Sequence, residues 1–152
     1  MSNIVVRTID CHITYLKDDA PKFLMLKRSP QKMYGGIWQC VTGKIESDEK
    51  PIETAIRELN EETGLSPISK WTIDQVNHFY EADQNRMNLI PVFGVEVQSL
   101  KINLSDEHCD YKWCNIDQAL ELFTWTQQKN GLLAFYEMLT SRQEKLTFLK
   151  II

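Results

Sequence analysis

Apolar and polar positions follow two rhythms along this chain. Residues 4–15, IVVRTIDCHITY, alternate imperfectly and are rich in β-branched side chains, which predicts a strand. A second strand-like run, FLMLKR, covers 23–28, and a turn-rich stretch with Pro30, Gly35 and Gly36 follows it. From residue 51 the period lengthens, and Ile52, Ala55, Ile56 and Leu59 fall on one face of a helix. Pro51 suits the first turn, where a missing N–H is not costly, and Gly64 supplies the left-handed residue that commonly ends a helix. Two longer extended runs, 71–80 and 88–98, flank the polar EADQNR segment, which reads as a hairpin-like connection through a long loop. A short strand is predicted at Tyr111–Cys114.

The last third turns helical. Asp117 is placed to cap a short helix through Ala119, Leu120 and Phe123. A second helix is predicted over Gln127–Leu139, burying Leu132, Phe135, Tyr136 and Leu139 despite the weak helix former Gly131. The tail KLTFLKII reads either as a strand or as a disordered end. Strands with helices before and after them point to a layered α/β arrangement.

Composition narrows the functional classes. At 152 residues the chain is expected to form one domain, 1–152, long enough to bury a core. Hydrophobic residues make up 43% and charged residues 25%, the balance of a globular protein. No apolar run approaches the ~20 residues that span a bilayer. The start, MSNIVVRTID, lacks the basic region and apolar core of a secretory signal, so a cytoplasmic protein without a membrane partner is expected. A net charge of -4 argues against a general grip on nucleic acid, though not against a small phosphorylated molecule. Cys11, Cys40, Cys109 and Cys114 form no CxxC pair and have no histidine at zinc-like spacing, so reduced thiols are expected.

Chemistry concentrates in residues 43–65, GKIESDEKPIETAIRELNEETGL. On a helix, Glu58, Glu61 and Glu62 stand at i, i+3 and i+4, and their carboxylates share one face. Acids so close repel one another unless something strongly positive sits between them. Hard oxygen ligands of this kind suit Mg²⁺ or Mn²⁺ rather than zinc. An amphipathic surface helix with a solvated acidic edge is the plainer alternative, which the fixed glycines and the spacing oppose.

The same residues match the pattern G-x5-E-x7-R-E-U-x-E-E-x-G-U, with U a bulky aliphatic, through Gly43, Glu49, Arg57, Glu58, Leu59, Glu61, Glu62, Gly64 and Leu65. This resembles the box of the Nudix hydrolases, which cleave diphosphate linkages attached to another group. The resemblance implies an α/β/α sandwich with a mixed sheet and a loop-helix-loop catalytic motif. It also implies metal ligation by Glu58 and Glu62, with Glu61 a third ligand or the base and the Gly43 carbonyl a further ligand. Arg57 and Glu49 read as a supporting pair in which the planar arginine fork holds carboxylates, although Arg57 also suits phosphate.

Outside the box, WQ-x-VTG before it and EHCDYKW at 107–113 resemble the bacterial dihydroneopterin-triphosphate and dATP pyrophosphohydrolases. That likeness makes Glu107 the expected further metal-site and catalytic carboxylate, with Asp106 and Asp110 as rivals and an exposed acidic loop as the plain reading. Lys27 and Arg28 end a strand and are phosphate candidates, of which only one faces inward because strand side chains alternate. Lys112 and Arg86 are weaker candidates of the same kind. Trp38 suits the substrate pocket or the core equally, and Phe79 and Tyr80 suit a stacked ring or the core. His12 and His78 read as structural, and His108 as a possible aid to proton transfer. The expected function is a Mg²⁺- or Mn²⁺-dependent pyrophosphohydrolase acting on a dATP-like nucleoside triphosphate or dihydroneopterin triphosphate. Alternatives are another nucleoside diphosphate substrate (ADP-ribose, a dinucleoside polyphosphate, oxidised dGTP) or a non-catalytic nucleotide sensor. A homodimer is left open.

Overall fold

Alternation along β2 (Thr8–Tyr15) sets the architecture, because Ile9, Cys11 and Ile13 point to one face of the sheet and Asp10, His12 and Thr14 to the other, all of them buried. A strand buried on both faces needs a layer on each side. The computed structural model, which describes residues 1–152, supplies both layers. Helix α1 (Pro51–Thr63) covers the first face, where Ala55 and Leu59 join Ile9, Leu24, Leu26, Val41 and Val95 in one apolar cluster. Helices α2 (Ile116–Leu122) and α3 (Thr126–Thr140) cover the second, where Ala119, Leu132, Phe135 and Met138 meet Phe23, Met25, Ile73 and Val92. The fold is an α/β/α sandwich around a mixed sheet.

β7 (Arg86–Val97) runs through the middle of that sheet. It pairs antiparallel with β6 (Ser69–Glu81), and parallel with β1 (Asn3–Val5) and then β2. β2 continues antiparallel to β5 (Val41–Lys44) and, at its far end, to β3 (Lys22–Arg28). β3 in turn pairs with β4 (Trp38–Gln39) and β8 (His108–Cys114). No helix is long and apolar enough to cross a membrane.

Several boundaries differ from the sequence reading, each for a physical reason. The run 4–15 is split: Val5 lies opposite Asn88 and Asp10 opposite Val92, five steps against four, so one residue bulges out around Val6 and Arg7. β6 also slips register between Thr72 and Val76, opposite Phe93 and Pro91. Pro91 offers no N–H to the ladder: the pairing with β6 breaks between it and Phe93, and the parallel pairing with β1 and β2 skips from Asn88 to Val92. The EADQNR connection is no long loop. A single 3₁₀ turn at Ala82–Gln84, closed by left-handed Asn85 at φ 47°, joins strands that run to Glu81 and from Arg86. Those two residues stand opposite each other and form a two-pronged ion pair at 2.5 and 3.0 Å.

The helical third also shows corrections. Asn115, not Asp117, caps α2: its Oδ1 accepts from Gln118 N at 2.9 Å, while Gln118 Oε1 accepts from Asn115 N at 3.0 Å. In α3 Tyr136 is half-buried and Met138 takes the buried place. Gly131 sits there for space, since a Cβ would lie 2.8 Å from His12 Nε2. The tail forms a short helix α4 (Glu144–Phe148) and then returns to β6, with Thr72 N donating to Leu149 O and Ile151 N to Lys70 O.

Candidate functional site

Helix α1 turns inward two of the three acids in its second half. Glu58 and Glu62, one turn apart, are 8% and 1% exposed, whereas the Glu61 side chain is 56% exposed at the helix edge. Glu58 lies directly on the backbone of Gly43 in β5. A Cβ at that position would stand 2.3 Å from Glu58 Cγ and 2.6 Å from its Oε1, so only glycine lets helix and strand close around the carboxylate. Gly64 ends the helix at φ 78° as expected.

Arg57 organises the acids around it. Nε and Nη2 grip the two oxygens of Glu49 at 2.7 and 3.0 Å, and Nη2 also donates to Lys44 O at 3.0 Å. Nη1 donates to Glu58 Oε1 at 2.8 Å and Glu61 Oε2 at 3.2 Å. All five guanidinium N–H groups thus have acceptors in the protein, which favours the carboxylate-clamp reading over phosphate binding. The Arg57 bonds, with help from Glu46 N and the Thr54 hydroxyl, hold Glu49 down at about 2.

Glu62 has no such partner. Neither of its oxygens has a hydrogen bond, and burial, followed by the charges of Glu58 and Glu107, pushes its pKa up to about 10. Burial raises Glu58 as well, against the pull of Arg57. Glu107 arrives on the loop before β8, which Ser29 holds in place: its N donates to Glu107 O at 2.9 Å and its Oγ to Asp106 O at 2.7 Å. Ligand atoms of Glu62, Glu107 and His108 lie within 4.8 Å of one another. The rivals Asp106 and Asp110 are exposed and stand outside this group, Asp110 accepting from Tyr111 N at 2.8 Å. The buried, donor-free oxygens of Glu62 on the helix, beside half-buried Glu107 on the loop, are the kind of donor set that a hard divalent cation fits.

Among the basic candidates, alternation along β3 separates Lys27 from Arg28. Arg28 falls on the α1 side with Leu26, close enough for its charge to lower the pKa of both Glu62 and His108. Its Nε is held by Met33 O at 2.8 Å. Lys27 and Lys112 lie on the other side, their Nζ atoms 6.0 and 5.0 Å from the ring centre of half-buried Trp38, which packs against the α2–α3 core. The structure therefore brings Arg28 to the carboxylates and leaves Lys27, Lys112 and Trp38 as a separate cluster. Arg86 is engaged by Glu81. Phe79 and Tyr80 are exposed, Tyr80 Oη bonding Asn85 at 2.6 Å. A concavity of about 590 Å³ beside Lys22, Trp113 and Gln118 contains none of the glutamates described above.

Two groups of residues escaped the sequence reading. Gln39 meets His108 at 2.9 Å, and only its place inside WQ-x-VTG hinted at a role. On the α3 face, Asp10 accepts from Asn77 Nδ2 at 2.8 Å and Gln128 Nε2 at 3.3 Å, a buried polar knot that strand periodicity does not reveal. Burial dominates there and raises Asp10 to about 6 despite both bonds.

Comparison with known proteins agrees with this geometry. The family model described as a NUDIX domain matches residues 9–135. Dihydroneopterin triphosphate diphosphatase of Haemophilus influenzae is 32% identical over 139 residues, covering 84% of each chain. An octanoyltransferase of Myxococcus xanthus is 29% identical over 119 residues, 76% of this chain, which spans only 32% of that protein's length. Among solved structures, a Listeria monocytogenes protein assigned as a NUDIX hydrolase superposes with a TM-score of 0.76 at 22% identity, covering 89% of this chain and 94% of its own.

Proposed function

The chain belongs to the Nudix family of hydrolases, which act on phosphoanhydride bonds, and we propose that this member is a Mg²⁺- or Mn²⁺-dependent pyrophosphohydrolase. Its proposed substrate is dihydroneopterin triphosphate or a dATP-like nucleoside triphosphate, released as monophosphate and pyrophosphate. One observation carries the metal reading: Glu62 is buried beside Glu58 and Glu107 with both oxygens unpartnered. A carboxylate in that position either keeps a proton or gives its oxygens to a cation.

Glu58, Glu62 and Glu107, with the Gly43 carbonyl, are the groups that would hold the ion. A bound divalent cation screens the phosphate oxygens and makes water a stronger acid. Arg57 fixes Glu58 and Glu61 through one guanidinium nitrogen, so the two acids keep a set separation. Glu61, exposed at the edge of the cluster, is the carboxylate free to take a proton from attacking water. Arg28 has its Nε occupied by Met33 O, which leaves its terminal nitrogens to receive a phosphate.

The substrate reading is supported by WQ-x-VTG, by EHCDYKW and by the similarity to the Haemophilus enzyme. Its test is a panel of dihydroneopterin triphosphate, the four common dNTPs, ADP-ribose and dinucleoside polyphosphates, with products identified by mass and ¹⁸O uptake from water locating the attacked phosphorus. Pyrophosphate is expected from dihydroneopterin triphosphate or dATP in the presence of Mg²⁺. Failure to release it from any triphosphate with either cation overturns the proposal.

A further inference from the structure

The chain that brings Glu107 to the acids reaches them through an irregularity in β8. Side chains there alternate in step with β3. Trp113 opposite Leu24 and Tyr111 opposite Leu26 fall on the α1 side, while Cys114 opposite Phe23 and Lys112 opposite Met25 fall on the other. Continued without a break, that alternation would set Cys109 opposite Arg28 and turn His108 away from α1. Instead Asp110 pairs with Lys27 and His108 with Arg28, which makes Cys109 an extra residue in β8. Such a bulge moves the residues before it to the opposite face. It carries His108, with Glu107 ahead of it, to Glu62, and ligand atoms of the three lie within 4.8 Å of one another.

Backbone bent in this way needs hydrogen-bond partners outside the ladder. Ser29, which follows β3 and is 4% exposed, supplies two from adjacent atoms: its N donates to Glu107 O at 2.9 Å and its Oγ to Asp106 O at 2.7 Å. Successive carbonyls of an extended strand point in opposite directions. Here two in a row turn to one residue, and the chain is bent where Glu107 leaves it. Supports from within the loop are longer, Glu107 N donating to Ser105 Oγ at 3.4 Å and His108 N to Ser105 O at 3.3 Å. We propose that Ser29 is a positioning residue: its hydroxyl fixes the bulged loop so that Glu107 stands with Glu62 at the cation site. The step from loop to cation rests on the function proposed above. The step from hydroxyl to loop does not.

Ser29→Ala removes one oxygen and leaves the backbone bond in place, which isolates the hydroxyl. In the metal-free full chain, hydrogen exchange at the Glu107 and His108 amides should quicken about fivefold, the worth of one hydrogen bond, while the amides of α1 keep their rates. Titration calorimetry should show Mg²⁺ affinity falling about tenfold, the scale of effects from groups that orient ligating side chains. Glu107→Gln supplies the discriminating background, since it has already lost the carboxylate. There Ser29→Ala should still quicken exchange but cost no further Mg²⁺ affinity, whereas a hydroxyl that merely steadies the fold would weaken both backgrounds alike. Unchanged exchange at Glu107 and His108 overturns the anchor. Undiminished Mg²⁺ affinity, or equal losses with and without the Glu107 carboxylate, overturns the positioning role. Absence of Mg²⁺ uptake by wild type overturns the cation reading and the positioning role with it, while the exchange rates still decide whether the hydroxyl holds the loop.

Discussion

Glu62→Gln keeps the shape of the side chain and removes its ability to ionise, which isolates the electrostatic cost of the buried acid. In the metal-free fold burial, then Glu58 and Glu107, lift this carboxyl from 4.5 to about 10. The folded protein therefore keeps a proton on Glu62 that the unfolded chain releases once the pH passes the ordinary carboxylate range. Stability falls with rising pH wherever the folded state binds more protons than the unfolded one. Across the three pH units from about pH 5 to about pH 8, at 1.36 kcal/mol per unit, this one group removes about 4 kcal/mol. The amide has no such slope. It leaves its own N–H groups short of acceptors, a penalty of about 1–3 kcal/mol that does not vary with pH.

Urea unfolding at the two pH values, in EDTA and again with saturating Mg²⁺, separates these effects. In EDTA the stability of the variant relative to wild type should improve by about 4 kcal/mol between about pH 5 and about pH 8. Mg²⁺ should rescue wild type at the higher pH, because binding only the folded state stabilises it, and should do far less for the variant. Parallel pH profiles for the two proteins in EDTA would show that Glu62 is not the strained acid described above. Equal Mg²⁺ rescue would show that the ion sits elsewhere.

Three further outcomes follow from the same contacts. Arg57→Lys keeps the charge but loses the fork that serves Glu49, Glu58, Glu61 and Lys44 O, so kcat and Mg²⁺ affinity should each fall by about 10–100-fold in steady-state and calorimetric measurements. Gly43→Ala forces a methyl group onto Glu58, and thermal unfolding should register a loss of about 1–3 kcal/mol together with weakened Mg²⁺ uptake. Asp10 has a folded pKa raised from 3.8 to about 6, so its contribution declines as the pH rises through that window, by about 3 kcal/mol. Asp10→Asn should flatten urea-derived stability over the same interval.

What the chain reveals on its own depends on whether the deciding partner is near in sequence. Helix α1 was legible because its apolar positions, Pro51 and Gly64 all lie within one segment, and the acids share that segment. Alternation along β3 says that Lys27 and Arg28 part company, yet which one meets the acids depends on the layer α1 covers. The bulge at Val6–Arg7 answers to the pairing of β7, more than eighty positions away. The cap of α2 went to Asn115 because a reciprocal bond with Gln118 outcompetes a lone aspartate inside the first turn. His108 could be noticed beside Glu107, but its orientation comes from Gln39, 69 residues earlier, and no spacing rule encodes that contact.

Charge accounting connects the two arginines to the ligand expected at the site. Leaving aside exposed Glu46 at 3.7 Å from Arg57, Glu49, Glu58, Glu61, Glu62 and Glu107 offer five negative charges when ionised, and Arg57 and Arg28 return two, one through direct bonds and one through proximity. The remaining excess of three exceeds what one divalent ion cancels, and a triphosphate entering the cluster adds more of the same sign. On the proposed function, metal and substrate should therefore arrive as partners, each lowering the electrostatic cost of the other, with a reciprocal coupling. Mg²⁺ affinity should accordingly be weak in the free protein and rise when a non-hydrolysable triphosphate is present, because the phosphate oxygens give the ion further ligands.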